Sequence, residues 1–407
     1  MKTRTIRVSF LLGIFLLSLL PLHVPAAQDG WWDDAWSFRQ EIILDSITSK
    51  ESAANQPVDT TIRFDSPCWA RNETYHSVRV IFQNKDDDIE LESQLYNMKY
   101  SDETHITSCN IVFLIPPQTD GTERYYIYYD ESPTTSPDYP DHVSIADSSY
   151  FYEPIPGYPL ESHFYKISQQ DTIRYVVAQE GQFLWYSTSQ YVTKLQEGST
   201  DVMPKNGEAI ASFEYSYYYG AEMWQFNSTS QELITKEILC DGNLMVSCKI
   251  LSRSLGDDLQ TTAIYKYYYC PTSSERIQVH VIHETLKEYQ VYAESNTDGT
   301  YASLQCGGMR STSIADLNFG EIYPYFHLYS EQNTVEEYRV DLHPEYTQEN
   351  PVLWLIQTPD DVDMGKKPWV SFDEGITGNV HALIFGSSSV VKAGKDERDG
   401  IQLKAYE

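Results

Sequence analysis

The chain has 407 residues, with 59 acidic against 29 basic side chains and a formal charge of −30. So acidic a surface repels phosphate backbones and anionic headgroups, which argues against nucleic acid and anionic membrane surfaces as partners. The length suggests about two or three domains of ordinary size.

The first element in chain order is a secretory leader, residues 1–27. Lys2, Arg4 and Arg7 form a basic start, Val8 to Leu22 an apolar run, and Val24-Pro25-Ala26 with Ala27 a small-residue cleavage region. The apolar run is shorter than the ~20 residues needed to span a bilayer. The mature chain is therefore expected to be secreted or extracellular, either released or associated with the cell surface, with no membrane span.

Strand signals follow at Phe38 to Leu44, Val58 to Phe64, Ser77 to Gln83, Ile89 to Tyr96, Cys109 to Ile115 and Glu123 to Tyr129. Asn84-Lys85-Asp86-Asp87, Pro116-Pro117 and Asp120-Gly121 supply turn chemistry between several of them. Short, regularly spaced strands predict a small antiparallel β-sandwich over residues 31–133. Residues 134–159 concentrate prolines, among them Pro137, Pro140, Pro154 and Pro156, and are expected to connect two domains, since proline disrupts a central strand.

Residues 160–407 again read as strands. Leu233 to Cys240 and Leu244 to Leu251 flank Asp241-Gly242, a hairpin signal. Leu244, Val246, Cys248 and Ile250 alternate with more polar neighbours, the period of a sheet with one buried face. Thr261 to Tyr269, Arg276 to His283, Ile322 to Tyr329, Glu337 to Leu342, Val352 to Gln357, Val380 to Phe385 and Ile401 to Ala405 are further strand candidates. The fold class is all-β: a small sandwich followed by a larger, many-stranded two-sheet sandwich.

Two resemblances accompany this reading. Trp32-x-x-x-Trp36-x-Phe38-Arg39, Val78-Arg79-Val80-Ile81 and the run Tyr125-Tyr126-Ile127-Tyr128-Tyr129-Asp130 resemble a domain family of unknown function. That family occurs in secreted and surface proteins of archaea and bacteria. The resemblance covers about Trp31 to Pro133 and brings no catalytic residues with it. The later region, through Tyr265-Lys266-Tyr267-Tyr268-Tyr269, Pro271 and Arg276 to Val281, loosely resembles the galactose-mutarotase-like supersandwich of carbohydrate-active enzymes. It implies a fold and, by itself, no function.

Several groups of residues point to chemistry. Thirty-two tyrosines favour sheet surfaces and offer stacking faces. Trp185, Tyr186 and Trp224 stand among polar residues and are candidates for stacking on sugar rings. His283 and Glu284, with Tyr325 and His327, are the acid–base candidates if the protein is a lyase or epimerase. Asp361 and Asp363 resemble part of a calcium loop without its full ligand set, so calcium is compatible but no cofactor is required.

Cys68, Cys109, Cys240, Cys248, Cys270 and Cys306 form an even set, which in an exported protein favours disulfides; Cys68–Cys109 is the first expected pair. Asn72-Glu73-Thr74 and Asn227-Ser228-Thr229 match the glycosylation acceptor pattern. No Gly-x-Ser-x-Gly, His-Glu-x-x-His or nucleotide-binding glycine motif occurs. The expected function is glycan or polysaccharide binding without catalysis; the alternatives are a carbohydrate-active enzyme and a structural envelope component.

Overall fold

The computed structural model describes residues 3–7, 30–44, 53–85, 88–117, 123–155, 158–179, 183–186, 211–212, 216–219, 224–227, 232–253, 257, 259–272, 275–286, 304–309, 325–342, 354–356, 361–363, 369–373, 380–384, 392–396 and 400–405. The chain is all-β, with several antiparallel sheets and no α-helix among the described residues. It divides into two compact units that are discontinuous in sequence. One comprises residues 1–144, 239–247 and 266–278; the other comprises 145–238, 248–265 and 279–407.

The first unit is built on β1 (Thr3–Arg7), β2 (Phe38–Ile43), β3 (Pro57–Trp69), β4 (Val78–Gln83), β5 (Asp88–Leu91), β6 (Ser93–Tyr100), β7 (His105–Leu114) and β8 (Arg124–Tyr129). One sheet has the order β1-β2-β8-β4-β5 and the other β3-β7-β6. Strand β1 falls inside the segment with leader character. Ile89 to Tyr96, expected as one strand, is two: β5 pairs with β4 and β6 with β7, so the chain changes sheets at Glu92.

The inner faces follow from period-2 alternation. Val78, Val80 and Phe82 of β4 and Tyr125, Ile127 and Tyr129 of β8 meet Val58, Ile62, Leu95, Ile111 and Phe113 of the facing sheet in one buried cluster.

Both outer faces are also covered. Over β8 and β4, Trp36, Ile81, Tyr126 and Tyr128 form a second cluster on which Trp31 and Trp32 pack. The Arg39 guanidinium carbon lies 4.6 Å from the Trp31 ring centre and 4.7 Å from that of Tyr126, and Arg79 lies 5.4 Å from Trp36. These are cation–π distances. The Trp-x-x-x-Trp-x-Phe-Arg opening is thus a strap over the sheet. Asp130 fastens it by accepting from the Ser37 hydroxyl at 2.6 Å and the Ser37 amide at 3.1 Å.

The outer face of β3-β7-β6 carries Asp59, Gln94, Tyr96, Asn110 and Val112, which the register places side by side. Segments 239–247 and 266–278 of the same unit cover it. Tyr96 and Val112 join Cys240, Leu244, Met245 and Tyr268 in a third apolar cluster.

The second unit contains β9 (Val143–Ile155), β10 (Tyr158–Gln169), β11 (Thr172–Ala178), β12 (Phe183–Tyr186), β13 (Ala211–Ser212), β14 (Ser216–Tyr219) and β15 (Trp224–Asn227), apart from the first residues of β9. β9 is the edge of a nine-stranded sheet, where its Pro154 is tolerated. β10 and β11 form a hairpin through Gln170 and Asp171, whose φ values are 49° and 64°. Strands β16 (Glu232–Asp241), β17 (Met245–Arg253), β18 (Leu259–Tyr268) and β19 (Ile277–Thr285) make a four-stranded sheet in sequence order. A five-stranded sheet includes the strand Tyr325–Tyr329 between Val335–Leu342 and Trp369–Asp373.

The disulfide expectation is corrected by the register. None of Cys68, Cys109, Cys240, Cys248 and Cys270 is in a disulfide. Although β3 and β7 are neighbours, Cys109 stands opposite Ile62, and an irregularity between Arg63 and Cys68 leaves Cys68 opposite Ile106. The two thiols are therefore offset along the strands and not cross-strand partners. The side chain of Cys306 lies outside the described residues.

Candidate functional site

A connected polar constellation of the first unit is centred on Asp59. β3 presents Asp59 outward, β6 presents Tyr96 and β7 presents Asn110. Lys266 and Tyr268, two residues apart on β18, come from the covering segment. Tyr96 donates its hydroxyl to Asp59 at 2.6 Å (Oδ1) and 2.8 Å (Oδ2), and Tyr268 donates to Oδ2 at 2.7 Å. Lys266 Nζ is 2.9 Å from both Asp59 Oδ2 and the Tyr96 hydroxyl. Asn110 Nδ2 donates to that hydroxyl at 3.3 Å.

Burial first, and the Asp59 charge second, push the acid dissociation of Tyr96 and Tyr268 far above the usual tyrosine range. Both phenols stay protonated and act as donors to a carboxylate. This chemistry suits a fixed scaffold that sets the position of the Tyr268 ring.

That ring forms part of a shallow groove with Asn55, Gln56, Pro57, Tyr269, Cys270, Thr272 and Arg276. The Tyr269 ring stacks on His142 with centres 4.1 Å apart and planes inclined by 5°. His142 Nε2 lies 2.7 Å from Glu92 Oε2, and the His142 amide donates to the Asn243 carbonyl at 3.0 Å. The Tyr269 amide donates to the Leu244 carbonyl at 2.8 Å. The aromatic wall is therefore pre-ordered, which lowers the conformational cost of stacking a ligand on it. Opposite chemistry comes from the Arg276 guanidinium, which donates to Gln56 Oε1, and from the Asn55 and Gln56 amides.

The residues expected from sequence are placed elsewhere. Glu284, on β19, is exposed and accepts from Gln260 Nε2 at 3.2 Å. The side chain of His283 lies outside the described residues. Tyr325 and His327 sit on a strand of a different sheet, and His327 Nε2 lies 3.0 Å from Glu337 Oε2 on the neighbouring strand.

Only the backbone is described for Trp185 and Tyr186 on β12 and Trp224 and Asn227 on β15. Asp361 and Asp363 lie on a short strand pairing with Lys392–Asp396, again described by backbone alone. Among the described residues, no three His, Cys, Asp or Glu side chains are grouped to hold a metal ion. Asn72 is exposed in a turn, its Oδ1 accepting from the amides of Thr74 at 3.0 Å and Tyr75 at 2.8 Å. No helix of the described residues is long and apolar enough to cross a membrane.

Sequence reasoning missed Asp59, Tyr96, His142 and Gln56. Tyr268 and Tyr269 were visible only as part of a tyrosine run, and nothing in their spacing pointed to His142 or Arg276.

No protein-family model matches the chain, and no curated protein matches it. The class that the coordinates define is an all-β protein with antiparallel sheets, sandwich-like in its first unit.

Proposed function

We propose that this is an exported protein that binds a glycan without catalysis, using the groove beside Tyr269. The observation that carries the reading is the pre-ordered Tyr269–His142 stack facing amide and guanidinium donors. Sugar rings offer apolar C–H faces to an aromatic ring, while their hydroxyls need fixed polar partners at the rim; recognition sites of this kind combine an apolar wall with a few placed polar groups. The leader-like start supports export. The protonated state of Tyr96 and Tyr268 supports a holding role for the Asp59 network over one in proton transfer.

The test is a polysaccharide panel incubated with the full mature chain, scored for retained protein and for new sugar products. Retention that falls in Tyr269→Ala, with no products, supports the reading. Sugar products that vanish in His327→Ala would replace it with the enzyme.

A further inference from the structure

We infer that the groove selects acidic sugars, with Arg276 receiving the carboxylate of a hexuronate residue. This inference rests on the glycan-binding reading and adds the class of sugar. Acidic side chains outnumber basic ones two to one in this chain, 59 against 29. Many described cations are accordingly held by carboxylates: Arg79 by Glu90, Arg124 by Glu41, Lys236 by Asp147, Lys249 by Glu237 and Lys266 by Asp59.

Arg276 differs. It is exposed, its one hydrogen bond goes to the neutral amide of Gln56, and no carboxylate partners it among the described residues. That bond orients the guanidinium and leaves the rest of its planar donor fork unused. Such a fork matches a carboxylate bidentately, which a point-charge ammonium does not.

The other groove walls fit the remainder of a uronate ring. Tyr269 offers the stacking surface, and Asn55 and Gln56 offer amides to ring hydroxyls. The chain's net negative charge opposes any polyanion at long range. At physiological salt that field is screened beyond about 8 Å, so contacts at Arg276 decide the preference.

The experiment titrates the full mature chain, by calorimetry at physiological salt, with short oligomers of galacturonate, guluronate and glucuronate. The same oligomers after carboxyl reduction serve as neutral counterparts of identical linkage. The expected result is binding of at least one acidic oligomer about tenfold tighter than its reduced form, the scale of one charge-assisted contact. In Arg276→Gln that preference should vanish, the acidic and reduced oligomers binding with equal affinity, weaker than wild type shows for the acidic one. Arg276→Lys, which keeps the charge and loses the fork, should retain only part of the preference. Near-ultraviolet circular dichroism of both variants should match wild type.

Equal binding of acidic and reduced oligomers by wild type, or a preference that survives in Arg276→Gln, overturns the inference and leaves the glycan reading standing. Binding of neither form overturns both.

Discussion

Placing a methyl group on Gly242 should strike the joint between the small sandwich and the hairpin that covers it. A Cβ at Gly242 would lie 2.2 Å from Gln94 Cδ, 2.3 Å from its Nε2 and 2.7 Å from its Oε1. No carbon tolerates such approaches, so Gln94 must move.

Gln94 is not idle. Its Oε1 accepts from the amides of Leu244 at 2.8 Å and Met245 at 2.7 Å, and its Nε2 donates to the Met245 carbonyl at 2.9 Å and to Cys240 Sγ at 3.0 Å. Displacing it strands buried backbone groups, each costing about 1–3 kcal/mol when left unpaired. With partial relaxation, Gly242→Ala should destabilise the first unit by roughly 2–4 kcal/mol.

Gln94→Ala should cost a similar amount by removing the same bonds, but it also makes room for the new methyl. The double variant should therefore be little worse than Gln94→Ala alone, a strongly non-additive cycle. Urea unfolding followed by tryptophan fluorescence, to which Trp36 in this unit contributes, measures all three. A Gly242→Ala protein within about 0.5 kcal/mol of wild type, or an additive double variant, refutes the reasoning.

Three further outcomes are expected. His76 is 1% exposed, and its proton affinity is depressed to about 3, by burial first and by Arg79 second. The unfolded chain therefore binds a proton that the native state refuses between the ordinary histidine value of about 6.5 and that limit, so stability falls as pH drops through this window, by on the order of 4 kcal/mol. Urea midpoints across pH should show the fall, and His76→Leu should flatten its part of the slope. Asp59→Asn removes the charge that binds Lys266 and two phenols, and should cost about 2–4 kcal/mol in the same unfolding assay, with Tyr96→Phe costing about 1 kcal/mol. In a Cys306→Ser background, a thiol reagent should label half-exposed Cys270 in the native protein and reach Cys68, Cys109, Cys240 and Cys248 only on unfolding. Burial removes access and pushes the last two thiols up to about 12.

The strands of the small sandwich were legible because Val78 to Phe82 and Tyr125 to Tyr129 are short β-branched and aromatic runs, with turn residues such as Asn84-Lys85-Asp86-Asp87 and Asp120-Gly121 between strands. Their outer faces were not. Asp59, Gln94 and Tyr96 read as ordinary solvent-side residues, yet their partners Tyr268, Leu244 and Lys266 lie 150 to 209 residues further along the chain. No local pattern carries pairings of that range.

The hairpin at Asp241-Gly242 announced itself through its turn residues. The one between β10 and β11 did not, because Gln170 and Asp171 occupy positive-φ positions usually taken by Asn or Gly. The cysteine count suggested bridges, and only the strand register revealed that Cys68 and Cys109 face other partners. The Trp32, Trp36 and Arg39 motif was visible at once, but its role as a strap needed the stacking distances.

The most direct test of the central claim is calorimetric titration of wild type, Tyr269→Ala, His142→Ala and Trp224→Ala with oligosaccharide from the glycan that retains the protein best. Loss of at least about tenfold in affinity for Tyr269→Ala, a smaller loss for His142→Ala as the platform loosens, and no change for Trp224→Ala is the predicted pattern. Wild-type affinity in Tyr269→Ala together with lost binding in Trp224→Ala would contradict it and move the site to the second unit.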